Sequence, residues 1–398
     1  MTGTRTYLDY NATAPLRPEA RAAVVAALDV VGNPSSVHAE GRAARALIED
    51  AREKVAALVG ARPSEVVFTS GATEANAWVM GLGWDVIVLA THEHPSVIEP
   101  ARASGARRTE IPVGADGTAD LATACDDSGL RRAARPLMSL HLANGETGVL
   151  QPVAEAVACR PGHGVAHTDA TQAAGRIAVD MRGLGVDLMS LSAHKLGGPK
   201  GVGALVVREG VEIAPMVRGG GQERRRRAGT ENVAAIAGFG AAAAAARRDL
   251  ADMPRLARMR DRLEREVRRL TPAAVVPGEG AERLANTACI ALAGARAETL
   301  VIQLDLDGIA VSAGSACSSG KVGASHVLAA MGIGPELASA AIRVSLGHAT
   351  READIDAFLS AWARHAARRG AAGGISTTVA DRASGTAPAP LRASAGDR

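Results

Sequence analysis

VDLMSLSAHKLGGPKGVGALVV, residues 186–207, sets a lysine between an apolar run and a cluster of glycines. DLMSLS has the length and apolarity of a strand, GVGALVV is a second strand, and the glycines between them mark a turn. Lys195 therefore falls at a strand end. Lysine is scarce in this chain: Lys54, Lys195, Lys200 and Lys321 are the only four among 45 Lys and Arg residues, so arginine carries the ordinary surface charge. Arginine keeps its proton at useful pH, whereas a lysine in a dry pocket can lose it and form a Schiff base with an aldehyde. The plain alternatives are a solvated strand-end residue for Lys195 and a turn residue for Lys200.

Further apolar runs of strand length precede it: EVVFTS (65–70), DVIVLATHEH (85–94), PLMSLHLAN (136–144) and GVAHTDA (164–170). Helical segments alternate with them, which predicts a mostly parallel sheet covered by helices. Polar residues gather at the C-terminal ends of these runs: Thr69 and Ser70, His92 and His94, Asn144, Asp169, then Ser192, His194 and Lys195. Ligands bind at the carboxyl ends of strands in open parallel sheets, so these residues are expected to converge on one crevice. A helix-rich stretch, 236–270, then leads to strand candidates NTACIALAG (286–294) and IAVSAG (309–314) and helices around Val327 and Ile355. We expect a large domain over 15–255, a small one built from 1–14 and 256–367, and a disordered Gly/Ala/Ser/Pro-rich tail over 368–398.

With 398 residues, 47% hydrophobic and 22% charged, the chain can bury a large core. A formal charge of +3, mixed in sign, gives no case for nucleic-acid or membrane binding. ERRRRAG (223–229) is the local exception; lacking interleaved aromatics, it reads as a solvated or subunit-facing loop. No apolar run reaches the ~20 residues of a membrane span, and the first residues lack a signal peptide's apolar core, so a cytoplasmic location is expected. Cys125, Cys159, Cys289 and Cys317 show neither CxxC nor Cys/His metal spacing, which disfavours both zinc and disulfides. The first three are expected as buried thiols. Cys317 lies in VSAGSACSSGKVGASH (311–326), whose small residues cannot build a core, so its thiol is expected to be exposed and mobile.

The strand ends also suggest a chemistry. In TSGATEAN (69–76) a glycine turn precedes a helix, where backbone N–H groups of Ala72 and Thr73 and the Thr73 hydroxyl can meet an anion. A capping role alone is the alternative. THEHPS (91–96) offers His92 or His94 to stack on a flat ring in a chain poor in aromatics, against ordinary loop roles for both. In HTDATQ (167–172), Asp169 suits a protonated aromatic nitrogen and Gln172 a neighbouring oxygen. An anion site, a pyridinium partner and a Schiff-base lysine together are what pyridoxal 5'-phosphate requires, because that cofactor is an electron sink only with its ring nitrogen protonated.

From YLDYNATAPL (7–16) to IRVSLGHAT (342–350) the chain resembles the cysteine desulfurases of the NifS/IscS type, class V aminotransferases of pyridoxal phosphate fold type I. GNPSSVH, FTSGATEAN, THEH, HTDATQ, SAHKLGGPKGVGAL, GGGQERRRRAGTEN, SAGSACSSG and IRVSLG stand in family order. The resemblance implies a mostly parallel α/β large domain with a smaller α+β C-terminal domain. It also implies conversion of L-cysteine to L-alanine, with sulfur held as a persulfide on Cys317 and passed to an acceptor such as an iron–sulfur scaffold protein. Lys195 would carry the cofactor and move protons, and His94 would stack on its ring. Asp169 would pair with the ring nitrogen and Gln172 with the phenolic oxygen. Ala72, Thr73, Ser192 and His194 would surround the phosphate, and Thr230 would reach the cofactor of a second subunit, making a homodimer part of the site. Arg343 would clamp the substrate carboxylate. No metal is implied. One departure stands out: where many relatives read Asn-Asn-Glu, this chain reads Asn144-Gly145-Glu146, so a contact to the phenolic oxygen is missing or passes to Asn144. A selenocysteine lyase or a plain aminotransferase of the same fold is one rival reading, and the thiol on its flexible loop argues against the aminotransferase. A nucleic-acid-associated protein using Arg224 to Arg227 is a second, against which the low net charge and the complete cofactor constellation speak.

Overall fold

The computed structural model describes residues 5–314 and 324–373, with side chains to residue 365. Its strands are β1 (Thr6–Tyr7), β2 (Val66–Thr69), β3 (Val86–Ala90), β4 (Arg107–Ile111), β5 (Pro136–Ser139), β6 (Val165–Asp169), β7 (Leu188–Ser192), β8 (Gly203–Val207), β9 (Ala274–Val275), β10 (Thr287–Leu292), β11 (Ile309–Ala310), β12 (Ser312–Ala313) and β13 (Ala341–Ser345). The helices are α1 (Pro18–Leu28), α2 (Ala39–Leu58), α3 (Ala72–Met80), α4 (Pro95–Ala103), α5 (Ala122–Asp126), α6 (Ser128–Arg132), α7 (Val153–Cys159), α8 (Val233–Asp249), α9 (Met253–Leu270), α10 (Ala297–Leu306), α11 (His326–Ala330), α12 (Pro335–Ala338) and α13 (Glu352–Gly373).

Seven strands form the large sheet in the order β2-β8-β7-β6-β5-β3-β4. All neighbours are parallel except at β8, which runs against both β2 and β7. The central strands β3, β5, β7 and β8 are buried at every position, as their unbroken apolar runs require of strands covered on both faces. One face packs in a core with Ile48 and Val55 of α2 and Phe239 of α8; the other packs with Trp78 of α3 and Val97 of α4. Each such side chain contributes about 1.5–3 kcal/mol by leaving water. A second, antiparallel sheet, β12-β13-β10-β9, lies on a separate core of α9, α10 and α13 residues that includes Leu8. β1 pairs in parallel with β11, so the start of the chain joins this second body.

The structure departs from the sequence reading in four places. β4, RRTEI, carries three charged residues and escaped notice; as an edge strand pairing only with β3 it tolerates them. IAVSAG splits at Val311, its first half pairing with β1 and its second with β13. Cys125 and Cys159, expected as separate thiols, form a disulfide with Cα atoms 4.7 Å apart. Their neighbours Ala124 of α5 and Ala156 of α7 share one core, which brings the two cysteines together across a separation of 34 residues. Cys289 is a buried free thiol, as expected. Finally, α13 runs to Gly373, past the point where the tail was expected to begin. The rest of that segment, and Cys317, lie outside the described residues.

Candidate active site

Lys195 closes the short 3-10 turn Ala193–Lys195 that follows β7 directly. Its Nζ donates to the backbone carbonyls of Asn11 and, at 3.0 Å, Ala12. The Asn11 carbonyl also accepts from Gln172 Nε2 at 3.1 Å, so lysine and glutamine meet on one oxygen. Arg176 takes up the other side of the Gln172 amide through Oε1. The Asn11 side chain donates to the Gly145 carbonyl and to Thr287 Oγ1, at 3.1 and 2.9 Å. The N-terminal segment is thus wedged between the two sheets beside Lys195.

Asp169 stands at the end of β6, one strand over, and is 8% exposed. Asn76 Nδ2 donates to its Oδ2 at 2.7 Å and the Thr171 N–H to its Oδ1 at 2.9 Å. Burial pushes this carboxyl upward, but hydrogen bonds from Thr171 and Asn76, with His94 adding, hold it below its ordinary value, so it is an anion at neutral pH. Asn76 Nδ2 also reaches Ser96 Oγ at 2.9 Å, and Ser96 Oγ lies 2.7 Å from His94 Nδ1. A relay of polar side chains therefore joins Asp169 to His94. Because His94 Nδ1 accepts from the Ser96 N–H, the neutral ring carries its proton on Nε2. His94 faces solvent; desolvation by the surrounding chain lowers its pKa, and Lys195 lowers it further while Asp169 opposes. His92 plays another part, buried against His141 with ring centroids 4.5 Å apart.

At the sheet's other side, Gly71 is the N-cap of α3 and has no side-chain cap; nothing lies within 4 Å of where a Cβ would stand on it. The first N–H groups of α3, Ala72 and Thr73 among them, thus begin beside free space, a helix N-terminus suited to an anion. Ala72 is buried and the Thr73 side chain exposed. Ser192 ends β7 and is buried. His194 Nδ1 lies 3.2 Å from Thr13 Oγ1, and burial, then Lys195, Lys200 and Arg176, push its pKa down to about 4, leaving it neutral. β8 approaches this turn closely: a Cβ on Gly203 would lie 2.6 Å from Gly71 Cα.

The arginine loop folds over the same helix start. Glu223, Arg224 and Arg225 have φ of 43°, 57° and 66°, the only non-glycine residues in left-handed backbone among those described. Such strain persists only where the surroundings hold it. Arg52 grips the buried Glu223 carboxylate through both Nη1 and Nη2, at 2.8 and 2.9 Å, and the Phe68 N–H donates to the same group at 2.9 Å. Arg227 pairs with Glu74 in the first turn of α3 at 3.0 Å. Thr230 follows, exposed.

Arg343 comes from β13 of the second sheet and is 4% exposed. Its Nη2 donates to Asp9 Oδ1 at 3.0 Å and its Nη1 to the Gly145 carbonyl at 3.1 Å, while its buried Nε has no hydrogen-bond partner. Arg176 lies close by; burial and repulsion from Arg343 both lower its proton affinity. The question left by Gly145 has a partial answer. Asn144 Oδ1 accepts from the Glu146 and Thr147 N–H groups at 2.9 and 3.1 Å, so this amide is occupied within its own turn. A Cβ at 145 would stand 3.1 Å from Gln172 Nε2, so the space beside the missing side chain borders Gln172.

Sequence reading missed Asn76, Ser96, Asp9 and Asn11. Asn76 and Ser96 lay inside quoted motifs, and a polar residue on a buried helix face was the available signal. Asn11 acts chiefly through its carbonyl, which any residue possesses. Among the described residues no group of three or more His, Cys, Asp and Glu side chains is placed to hold a metal ion. No helix among them is long and apolar enough to cross a membrane.

A lysine, a buried carboxylate and a helix N-terminus at the carboxyl ends of this sheet define the fold type I transferase architecture. The family model for class V aminotransferases matches residues 6–358. The chain is 41% identical over 366 residues to the cysteine desulfurase IscS of Dictyoglomus turgidum, covering 88% of this chain and 91% of that one. It is 40% identical to the IscS-like cysteine desulfurase of Mycobacterium tuberculosis, covering 89% and 94%. Among solved structures, a NifS-like protein from Rickettsia africae superposes with a TM-score of 0.84 at 33% identity, covering 90% of this chain and 99% of that one. The chain belongs to the class V aminotransferase family, in its cysteine desulfurase branch.

Proposed function

We propose that this protein is an L-cysteine desulfurase that uses pyridoxal 5'-phosphate and releases L-alanine. The observation that carries this reading is the convergence of Lys195, Asp169 and His94 beside the uncapped start of α3, with Arg343 contributed by the other sheet. Members of this family use pyridoxal phosphate, and the donor set here fits it: an anion-binding helix end, a carboxylate held ionised, and an amine. When bound, that cofactor withdraws electrons from the substrate Cα.

The chain's own groups then have distinct tasks. Ala72, Thr73, Ser192 and His194 would hold the phosphate, with Thr230 supplied by the second subunit of a homodimer. Asp169 would favour a protonated ring nitrogen, and His94 would help to hold the ring. Gln172 would serve the phenolic oxygen. Lys195 would hold the cofactor through its amine and move a proton at the substrate Cα. Arg343 binds the substrate carboxylate, which exchanges with Asp9; the unpaired Nε and the neighbouring Arg176 support an anion site there. The Cys317 thiolate attacks the substrate sulfur, the carbon–sulfur bond breaks with its electron pair left on Cβ, and protonation there gives alanine while the sulfur remains as a persulfide. An acceptor, such as an iron–sulfur scaffold protein, takes that sulfur in the cytoplasm. We also propose the division into a large domain, 15–255, and a small one, 1–14 with 256–367; the β1–β11 pairing supports it.

The test is L-cysteine turnover by purified protein loaded with cofactor. Alanine is expected with about 32 mass units added to the Cys317 peptide, and sulfide in step with alanine once a thiol reductant is added to cleave the persulfide. Cys317→Ser should keep the yellow colour and its change on adding cysteine, but form almost no alanine. Near wild-type desulfuration by that variant would instead favour elimination, as in a selenocysteine-lyase-like reaction.

A further inference from the structure

Glu146 has no part in the scheme above, yet it lies where two parts of that scheme meet. It sits in the turn after β5, between Gly145, whose carbonyl holds Arg343, and Thr147. Ser325 Oγ donates to its Oε2 at 2.5 Å, and that hydroxyl also caps α11 by accepting from the Leu328 N–H at 3.1 Å. The same Oε2 lies 3.3 Å from where a Cβ on Gly314 would stand. Gly314 and Ser325 lie on either side of Cys317 in the sequence, so one carboxyl group bonds the chain on one side of Cys317 and borders it on the other. From the turn itself, the Glu146 N–H is held by Asn144 Oδ1. The charged and titratable groups facing it are Arg343 from β13 and Cys289 from β10, the latter fully buried and influenced by the Glu146 charge.

We propose that Glu146 is a positioning residue for desulfuration, registering Gly314 and Ser325, the described residues on either side of Cys317, against the turn that holds Arg343. The inference rests on the desulfurase reading. A half-buried carboxyl is costly to keep unless it is hydrogen-bonded, and this one directs its bond to Ser325, outside its own turn. Burial, outweighing Ser325 and Arg343, raises its pKa to about 7. A neutral amide can therefore replace it, keeping the bond to Ser325 whichever partner donates.

The experiment compares E146A, E146Q and S325A in the full-length, cofactor-loaded protein. Two readouts are taken: half-saturation of the L-cysteine-induced spectral change, and the first-turnover rate of alanine formation. E146A and S325A are expected to bind L-cysteine within twofold of wild type and form alanine at least tenfold more slowly. E146Q should recover to within threefold of wild type, and the E146A/S325A double variant should be no slower than either single one. Wild-type alanine formation by E146A, or E146Q as slow as E146A, overturns the inference, as does a loss confined to half-saturation, which would place Glu146 in substrate binding through Arg343. If wild-type protein forms no alanine from L-cysteine, the desulfurase reading fails and takes this inference with it; activity retained by E146A in a working desulfurase removes the inference alone.

Discussion

Replacing Gly203 with alanine should weaken both the fold and cofactor binding, through the spacing of three strands. An added Cβ would stand 2.5 Å from the Leu191 carbonyl oxygen of β7 and 2.6 Å from Gly71 Cα, both backbone atoms that cannot rotate away. Ordinary carbon–carbon contact begins near ~3.5 Å, so Gly71 must retreat by roughly 0.9 Å unless β8 leaves its place between β2 and β7. Overpacking of this kind costs about 1–3 kcal/mol. Gly71 is also the N-cap of α3, so the same displacement moves the proposed phosphate-binding N–H groups, and a misplacement near 1 Å can cost on the order of 10²-fold at a functional site. Equilibrium denaturation without added cofactor reads the first effect, and titration with pyridoxal phosphate reads the second. Gly221→Ala is the control, since Gly221 has φ of −84° and nothing within 4 Å of an added Cβ. If Gly203→Ala matches Gly221→Ala in both denaturation midpoint and cofactor affinity, the close approach of β8 to the α3 turn is not what holds this site.

Glu223→Ala should cost about 3–5 kcal/mol in denaturation, because it strands the Arg52 guanidinium, itself 4% exposed, without its bidentate partner; a loss below about 1 kcal/mol would show the loop is held otherwise. Asp169→Asn should keep bound cofactor yet lower alanine formation on the order of 10²-fold or more, since the anion it removes is the one facing the ring nitrogen in the proposed arrangement; unchanged turnover would refute that placement. Part of the acid sensitivity, beside a share from His194, should trace to His167, which lies between Ser139 and Ser190 Oγ and whose pKa burial pushes from 6.5 down to about 4. Unfolding releases it to bind a proton, so stability is full above about pH 6.5 and falls towards pH 4 by about 1.4 kcal/mol per pH unit for this group. His167→Gln should reduce the slope of stability against pH over that range, and an unchanged slope in urea titrations at several pH values would count against the assignment.

The large sheet was legible because its central strands are buried on both faces and so appear as unbroken apolar runs. Their polar ends were legible for a related reason: a residue such as Asp169 stands out where an apolar run stops. β4 was hidden by Arg107, Arg108 and Glu110, which an edge position permits. The Cys125–Cys159 pairing depends on two short helices meeting on one core, which spacing along the chain does not encode. Nor could the reversed direction of β8 be inferred, since its apolar run resembles those of its parallel neighbours. In the site, charge and motif pointed to Lys195, Asp169 and Arg343. The Asn76–Ser96 relay and the carbonyls of Asn11 and Gly145 left almost no trace, because neutral amides and main-chain oxygens carry no compositional signal.

The N-terminal segment imposes an order of events on biosynthesis. Domains fold largely as they leave the ribosome, and the large sheet is complete once Val207 has been made. Thr6, Asp9 and Asn11 emerge before the strands of the large sheet, but their partners in the second body, Thr287, Ile309 and Arg343, are translated after it. Until then the carbonyls that receive the Lys195 amine are held only from the large domain, by groups such as Gln172, and lack the second body's contacts. A nascent chain halted after β8 can possess its entire large sheet and still lack half of what settles Lys195, so the amine is fully placed only once Thr287 and Arg343 have been made.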